Sequence, residues 1–231
     1  METENEETME YLQSTDFPEL ESKLKFLRQC LSKEAYEQMH FCRFQTGEYL
    51  FREGTESDYL YIILDGNCKV FRTLENGKTL LVCCYQDIQL LGEFEIFGDS
   101  VAKTNIQALK ETYCLAISAR RHKALLMSDN QFLQFACSQI CEKIERNNRN
   151  TGINLLYPLE QRLAGYILIM QNEDVFSGNY TMLAEYLGCS HRHLLRTFHM
   201  LCDKNLLEKR NTAYWIKDKN ALERLAGGVY Q

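Results

Sequence analysis

From Phe41 to about Ile117 the apolar positions come in short runs rich in Tyr, Ile, Val, Leu and Phe, broken by Gly47, Gly54, Gly66, Gly77, Gly92 and Gly98. That rhythm predicts many short strands with tight connections. The clearest strands are 59–65, 68–74 and 78–84, and Glu75, Asn76 and Gly77 read as a hairpin turn in which Asn-Gly accepts positive φ. Two more strands, 104–109 and 111–117, complete a unit that reads as a small barrel or jelly roll, because closure removes exposed edges.

The rhythm changes on either side. Leu20, Leu24 and Leu27 fall on one helical face, Leu31, Tyr36 and Met39 extend it, and the segment is expected to pack on the β unit. From Ser118 to about Asn150 there is no Gly or Pro, and Leu125, Phe132, Phe135, Ala136, Ile140 and Ile144 recur at helical steps, which predicts one long amphipathic helix. A small barrel cannot cover such a stripe completely, so it invites a second copy of itself, packing on its own domain being the alternative. Thr151 and Gly152 form a hinge, Pro158 opens the next helix, and three helices precede a hairpin of 206–209 and 213–217 joined through Arg210, Asn211 and Thr212. A terminal helix with Leu222 and Leu225 starts at Asp218. The expected class is α+β, divided into an acidic extension (1–22), a β-roll domain with a flanking helix (23–117), a dimerisation helix (118–150) and a winged helix-turn-helix domain (153–231).

Residues 180–209 are the most informative stretch. Thr181 can cap a first helix that turns Leu183, Ala184 and Leu187 inward, Gly188 reverses the chain, and Ser190 caps a second helix with Leu194, Leu195, Phe198 and Leu201 on its buried side. Helix, glycine turn and helix form a supersecondary unit that docks on DNA. Arg192 and Arg196 lie one turn apart, and each guanidinium can grip guanine O6 and N7. His191 is the third base-reading candidate, and Ser190, His193, Lys204, Lys209 and Arg210 are candidates for the DNA backbone. A basic face that is merely solvated is the competing reading.

Charge sharpens this picture. The chain of 231 residues has a net charge of −6, but residues 1–22 alone carry −8, and 23–152 and 153–231 carry +1 each. DNA binding therefore depends on where the cations sit rather than on bulk charge. No apolar run is long enough to span a bilayer and the acidic start lacks the pattern of a signal peptide, so a cytoplasmic protein without membrane partners is expected. The ten cysteines are scattered, and reduced thiols are expected. No nucleophile is paired with a base, which argues against an enzyme.

Taken together, FQTGEYLFREGTESDYLYIILDGNCKVF (44–71), LLGEFEIFG (90–98), the long helix after Ser118 and LAEYLGCSHRHLLRTFHML (183–201) resemble the cyclic-AMP receptor and fumarate-nitrate regulator family of bacterial transcription factors. The resemblance covers about residues 15–225. It implies a cyclic-nucleotide-binding-like β-roll, a central dimerisation helix and a winged helix-turn-helix that reads a palindromic duplex operator as a homodimer. RNA polymerase becomes a partner if the chain is an activator. The family's base-reading positions fall on His191, Arg192 and Arg196.

The resemblance also marks an effector pocket at Gly92, Glu93 and Phe94, followed by Ala102, Lys103 and Thr104. Ala102 stands where nucleotide-binding members have an Arg, which removes the bidentate phosphate grip, and Lys103 would offer only a point charge. Cyclic AMP is therefore not the expected effector. Glu93 has an alternative role as a turn carboxylate receiving backbone amides, and Phe94, Phe97 or Tyr113 could fill the pocket instead of a small-molecule effector. The iron-sulfur members' tight N-terminal cysteine cluster is absent, yet a cluster assembled from distant thiols, or reversible oxidation of Cys30, Cys42, Cys83, Cys84 and Cys114, stays open. Cys137 and Cys141, one helical turn apart, read as small hydrophobes near the dimer seam. No cofactor and no metal site is assigned.

Overall fold

The structure, a computed structural model, describes residues 18–74, 79–98 and 100–229. Most of the acidic extension and the Glu75–Asn76–Gly77 turn lie outside the described residues. Two compact units are present, one formed from residues up to Thr73 together with Val82–Ile144, the other chiefly from Glu145 onward. Among the described residues no helix is long and apolar enough to cross a membrane.

In the first unit, a 3-10 turn (Pro18–Leu20) leads into α1 (Glu21–Cys30) and α2 (Lys33–Glu37). The strands that follow are β1 (His40–Phe44), β2 (Tyr49–Phe51), β3 (Tyr59–Thr73), β4 (Thr79–Tyr85), β5 (Gln89–Leu91) and β6 (Asn105–Ser118), with the short α3 (Glu93–Phe97) between β5 and β6. The sheet runs β1-β6-β3-β4, with β2 on β6 and β5 on β3.

The two-residue period of a strand builds two cores from one sequence. Tyr59, Tyr61 and Ile63 of β3 and Cys114 and Ala116 of β6 point into the roll. Their neighbours Leu60, Ile62, Leu64, Leu115 and Ile117 point outward, under Leu24, Leu27 and Leu31 of the N-terminal segment. Inside the roll, Tyr61 is fully buried between the rings of Phe44 and Phe51, with centroids at 5.4 and 5.5 Å.

The four strands expected over 59–65, 68–74, 104–109 and 111–117 are two long bent ones, β3 and β6. The β3–β6 register shifts between Ile63 and Cys68, and Gly66 sits in that shift at φ 149°. A Cβ there would lie 2.4 Å from the Thr112 hydroxyl, so only glycine lets the strands stay paired through the bend.

The helix expected over 118–150 is likewise two: α4 (Ala119–Ser128) and α5 (Asn130–Leu156). Asp129 separates them. Its carboxylate accepts the amides of Gln131 (2.9 Å) and Phe132 (3.2 Å), which makes it the N-cap of α5, and also the amide of Ser32 (3.1 Å), which ties that cap to the start of α2. The hinge expected at Thr151–Gly152 is absent, because α5 runs on to Leu156 and the chain breaks instead at Tyr157–Pro158. A single glycine costs a helix only about 1 kcal/mol, and the surrounding turns outweigh it. The face named for the dimer also shifts: Phe132, Phe135 and Ala136 are buried against the roll, leaving Cys137, Cys141 and Ile144 exposed with Ile140 half-covered.

The second unit holds the last turns of α5 and then α6 (Leu159–Met170), β7 (Val175–Phe176), α7 (Tyr180–Tyr186), α8 (His191–Asp203), β8 (Leu207–Arg210), β9 (Ala213–Ile216) and α9 (Lys219–Ala226). Pro158 is the residue before α6 rather than inside it. Strand β7, not foreseen, makes the hairpin a three-stranded sheet in the order β7-β9-β8.

Burial would raise the Asp129 carboxyl pKa, but hydrogen bonds from the Ser32 side chain and the amides of Phe132, Ser32 and Gln131 outweigh it, and the net shift is downward. A depressed carboxyl stabilises the fold above its unfolded pKa of about 3.9 and loses that contribution as pH falls through the folded value. Asp129→Ala should lower stability at pH 7 by about 1 kcal/mol in urea unfolding. The gap to the parent should close as pH falls below about 4.

Candidate nucleic-acid interface and effector site

The helix-turn-helix is fixed by short-range chemistry. The cap of α7 is Asn179, not Thr181: its side-chain oxygen accepts the amides of Thr181 and Met182, both at 3.0 Å. Both residue types suit the position, and the two lie only two residues apart. Gly188 takes φ 61° to reverse the chain, and the Cys189 amide closes the turn on the Ala184 carbonyl at 2.9 Å. Ser190 caps α8 by accepting the His193 amide at 3.2 Å.

The two faces of α8 are sharply different. Leu194, Thr197, Phe198 and Leu201 are buried. Phe198 stacks on Tyr214 of β9 with centroids 4.1 Å apart and planes at 14°, and Tyr180 meets it edge-on at 5.5 Å. These rings clamp α8 between α7 and the hairpin. On the other face His191, Arg192, His193, Arg196 and His199 are exposed. Among the described residues neither Arg192 nor Arg196 has an ion pair, so both guanidiniums are available to a ligand.

At the hairpin, Asn211 adopts φ 54° at the tip, and the Tyr180 hydroxyl donates to the Thr212 carbonyl, pinning the tip to the start of α7. Lys209 is exposed there. Arg210 is paired with Glu208 at 2.9 Å and lies over the Trp215 ring at 4.7 Å. Lys204 is committed to Glu160 at 2.9 Å. The sequence reading therefore brought together His191, Arg192, His193 and Arg196, while Lys204 and Arg210 have intramolecular partners.

The effector candidates in the first unit are built differently from the expectation. Gly92 takes φ 97°, and a Cβ there would meet the Tyr59 carbonyl at 2.9 Å. Among the described residues Glu93, only 2% exposed, receives no backbone amides as a turn carboxylate; its Oε1 binds the Lys143 ammonium at 2.6 Å. Lys143 reaches in from α5, donates to the Leu90 carbonyl as well, and passes over the Tyr85 ring at 5.3 Å. The other Glu93 oxygen is buried with no hydrogen-bond partner among the described residues.

Phe94 is 63% exposed, Phe97 is partly exposed against Phe132, and Tyr113 donates to Glu111 at 2.7 Å on the surface, so none of the three fills the roll. Ala102 is buried and its backbone pairs with Gly54 and Thr55, while Lys103 is exposed. The Lys103 amide binds the Glu95 carboxylate. Burial and the Glu93 charge raise the Glu95 pKa, and that amide and Lys143 only partly offset them.

Two domain families match the chain: the cyclic nucleotide-binding domain over residues 41–129 and the Crp-like helix-turn-helix domain over 161–225. The regulatory protein YeiL of Escherichia coli is 30% identical over 199 residues, which cover 86% of this chain and 91% of the relative. This chain belongs to the Crp/Fnr family of transcription regulators. It carries that family's helix-turn-helix DNA-binding domain and is a regulator, not an enzyme. The cAMP-activated regulator CRP of Salmonella typhimurium is 21% identical, covering 73% of this chain and 85% of its own. Among solved structures, a Crp/Fnr-family regulator of Eubacterium rectale superposes with a TM-score of 0.74 at 14% identity, covering 86% of this chain and 96% of its own. A CRP-family regulator of Thermus thermophilus superposes at 0.69 with 18% identity, covering 82% and 98%.

In this member of the family the thiols named for redox chemistry are mostly suppressed. Cys42 and Cys114 face each other across β1 and β6, both fully buried. Burial pushes the Cys114 thiol far up, Cys68 and Cys84 to about 11, and Cys30 up as well, all of which disfavours the reactive thiolate. Cys83 is buried and Cys84 half-buried, as alternation on a strand requires. Among the described residues no three His, Cys, Asp or Glu side chains are placed to hold a metal ion. Cys137 and Cys141 are exposed on α5.

Sequence reasoning missed Lys143 and Arg162, because an isolated cation on a helix gives no sign of a distant partner. Arg162 is 8% exposed and donates to the Tyr157 carbonyl (2.9 Å), the Asn154 side chain (3.0 Å) and the Leu187 carbonyl. Asn154 also donates to the Tyr186 carbonyl at 3.2 Å, so the end of α5 is bonded to the helix-turn-helix turn. Lys143→Met should cost about 3 kcal/mol in chemical unfolding, because it strands a buried carboxylate. Adding Glu93→Gln should recover most of that loss, and a double variant as unstable as the single one would contradict the ion pair as the cause.

Proposed function

We propose that this chain is a cytoplasmic, sequence-specific regulator that binds a palindromic duplex operator as a homodimer. What carries the reading is the exposed pair Arg192 and Arg196, one turn apart, on a helix whose opposite face is clamped by Phe198 and Tyr214. A rigid helix whose guanidiniums have no ion pair among the described residues has what the major groove selects: donors already in place and little ordering cost. His191 joins them as a base reader. Ser190, His193, Lys209 and Arg210 meet phosphates beside the groove, Arg210 by exchanging Glu208, and Lys204 contributes only if it leaves Glu160.

The partner on α5 is a second copy. Cys137, Ile140 and Ile144 follow steps of three and four along the side left open by the roll, the spacing of a two-stranded seam, and Leu155 near the end of the helix is 79% exposed. Two-fold pairing along that seam sets two half-sites about one duplex turn apart. RNA polymerase is a further partner where the protein activates.

The effector is not cyclic AMP in this reading. A cyclic phosphate would meet a buried Ala102 in place of a guanidinium, and the exposed Lys103 would offer only a point charge.

Arg196→Ala is expected to leave folding and dimerisation unchanged and to weaken binding to the specific operator by at least about 1 kcal/mol, with a smaller loss on a scrambled duplex. Fluorescence anisotropy with both duplexes at matched salt reads the difference. Equal losses on both would assign Arg196 to the backbone, and no retention of duplex at low salt would point instead to a protein-binding module.

A further inference from the structure

Helix α5 carries an unbroken exposed row. Cys137, Cys141, Ile144, Asn148, Thr151 and Leu155 are all exposed and follow one another at steps of four, three, four, three and four, the heptad repeat of a two-stranded coil. Ile140, which the same repeat could use in place of Cys141, is half-buried. Asn148 stands one heptad after Cys141, and a single Asn at such a position holds two parallel helices in register, so that like residues of two copies meet. Full-sized apolar residues would fill two layers of that seam better than a pair of small thiols, so the cysteines call for another reason.

Their spacing supplies it. Residues four apart on a helix have Cβ atoms about 5–6 Å apart, whereas a disulfide needs about 3.8 Å, so Cys137 and Cys141 of one chain cannot bridge each other without distorting the helix. A zinc ion binds its sulfurs at about 2.3 Å, which sets neighbouring sulfurs about 3.8 Å apart around a tetrahedral centre, and side chains leaning together from that Cβ separation reach it. Three intervening residues also fall within the spacing of paired zinc cysteines. One chain brings only these two ligands, because among the described residues no third His, Cys, Asp or Glu is placed with them. Resting on the homodimer proposed above, we propose that Cys137 and Cys141 of two copies form a tetrathiolate site that holds one divalent zinc ion between the α5 helices. The four thiols bind as thiolates and release their protons to solvent, with no change in oxidation state. The ion clasps the dimer, and each copy supplies half of its ligands.

Native mass spectrometry and elemental analysis of the full chain, loaded with zinc chloride under reducing conditions and freed of excess ion, test this. The expected result is one zinc per two chains, and cobalt(II) in its place should give thiolate-to-metal charge-transfer and tetrahedral d–d bands. The double variant Cys137→Ser/Cys141→Ser should lose both signals, and in sedimentation its dimer–monomer midpoint should rise about tenfold or more in concentration. Ile144→Arg keeps both thiols but opposes two cations across the seam, and should lose the metal together with the dimer. A dimer that takes up no zinc, binds one ion per chain, or retains the ion in the serine variant overturns the proposal and leaves the dimer standing. A chain that stays monomeric with and without zinc overturns the dimer and the site together.

Discussion

The stack of Phe198 on Tyr214 is the contact on which the interface depends. It joins the reading helix to the hairpin strand, and with Tyr180 and Phe176 around it, it decides which side of α8 is inside. Once Leu194, Phe198 and Leu201 are buried, the 3.6-residue period leaves Arg192 and Arg196 no position but the outside. Specific DNA recognition needs that fixed orientation, because a guanidinium that is free to wander pays for its ordering at the moment of binding.

The same economy runs through α5. Its first half belongs to the roll, where Lys143 and Gln139 bond to the Leu90 backbone of β5, and its last turns belong to the second unit, where Asn154, together with Arg162 of α6, bonds to the carbonyls that end α7. Asp129 sets where this helix starts, independently of α4. Lys143 and Gln139 are buried, so their placement in the roll is specific, since each would be costly to leave unpaired. One helix thus contributes residues to both units.

The locally encoded parts of this design were legible in the sequence. Gly188, Ser190 and the spacing of Leu194, Phe198 and Leu201 announce a turn, a cap and a buried face within a few residues of one another. The roll was legible as a class because alternation and glycine punctuation are also local, although β3 and β6 were split where Gly66 and Thr112 merely bend them. Illegible were features decided by distant partners. The stripe through Phe132 and Phe135 could have faced a second copy or the roll, and periodicity cannot say which. Nothing around Glu93, Lys143 or Arg162 reveals that one cation will fill a carboxylate's site and another will gather three acceptors. Asn179 and Thr181 were confused because two good caps stood two residues apart.

The polar face of α8, with the hairpin beside it, is the surface proposed to meet DNA. Hydroxyl-radical footprinting of the protein, read by mass spectrometry with and without a bound operator duplex, tests it most directly. His191, His193 and His199 on α8 and Trp215 on β9 are exposed and oxidisable, and Phe26 and Phe94 in the first unit serve as distant references. Bound duplex should protect the α8 histidines and Trp215 while Phe26 and Phe94 react unchanged. Histidines on α8 that oxidise as fast in the complex as in the free protein would contradict it.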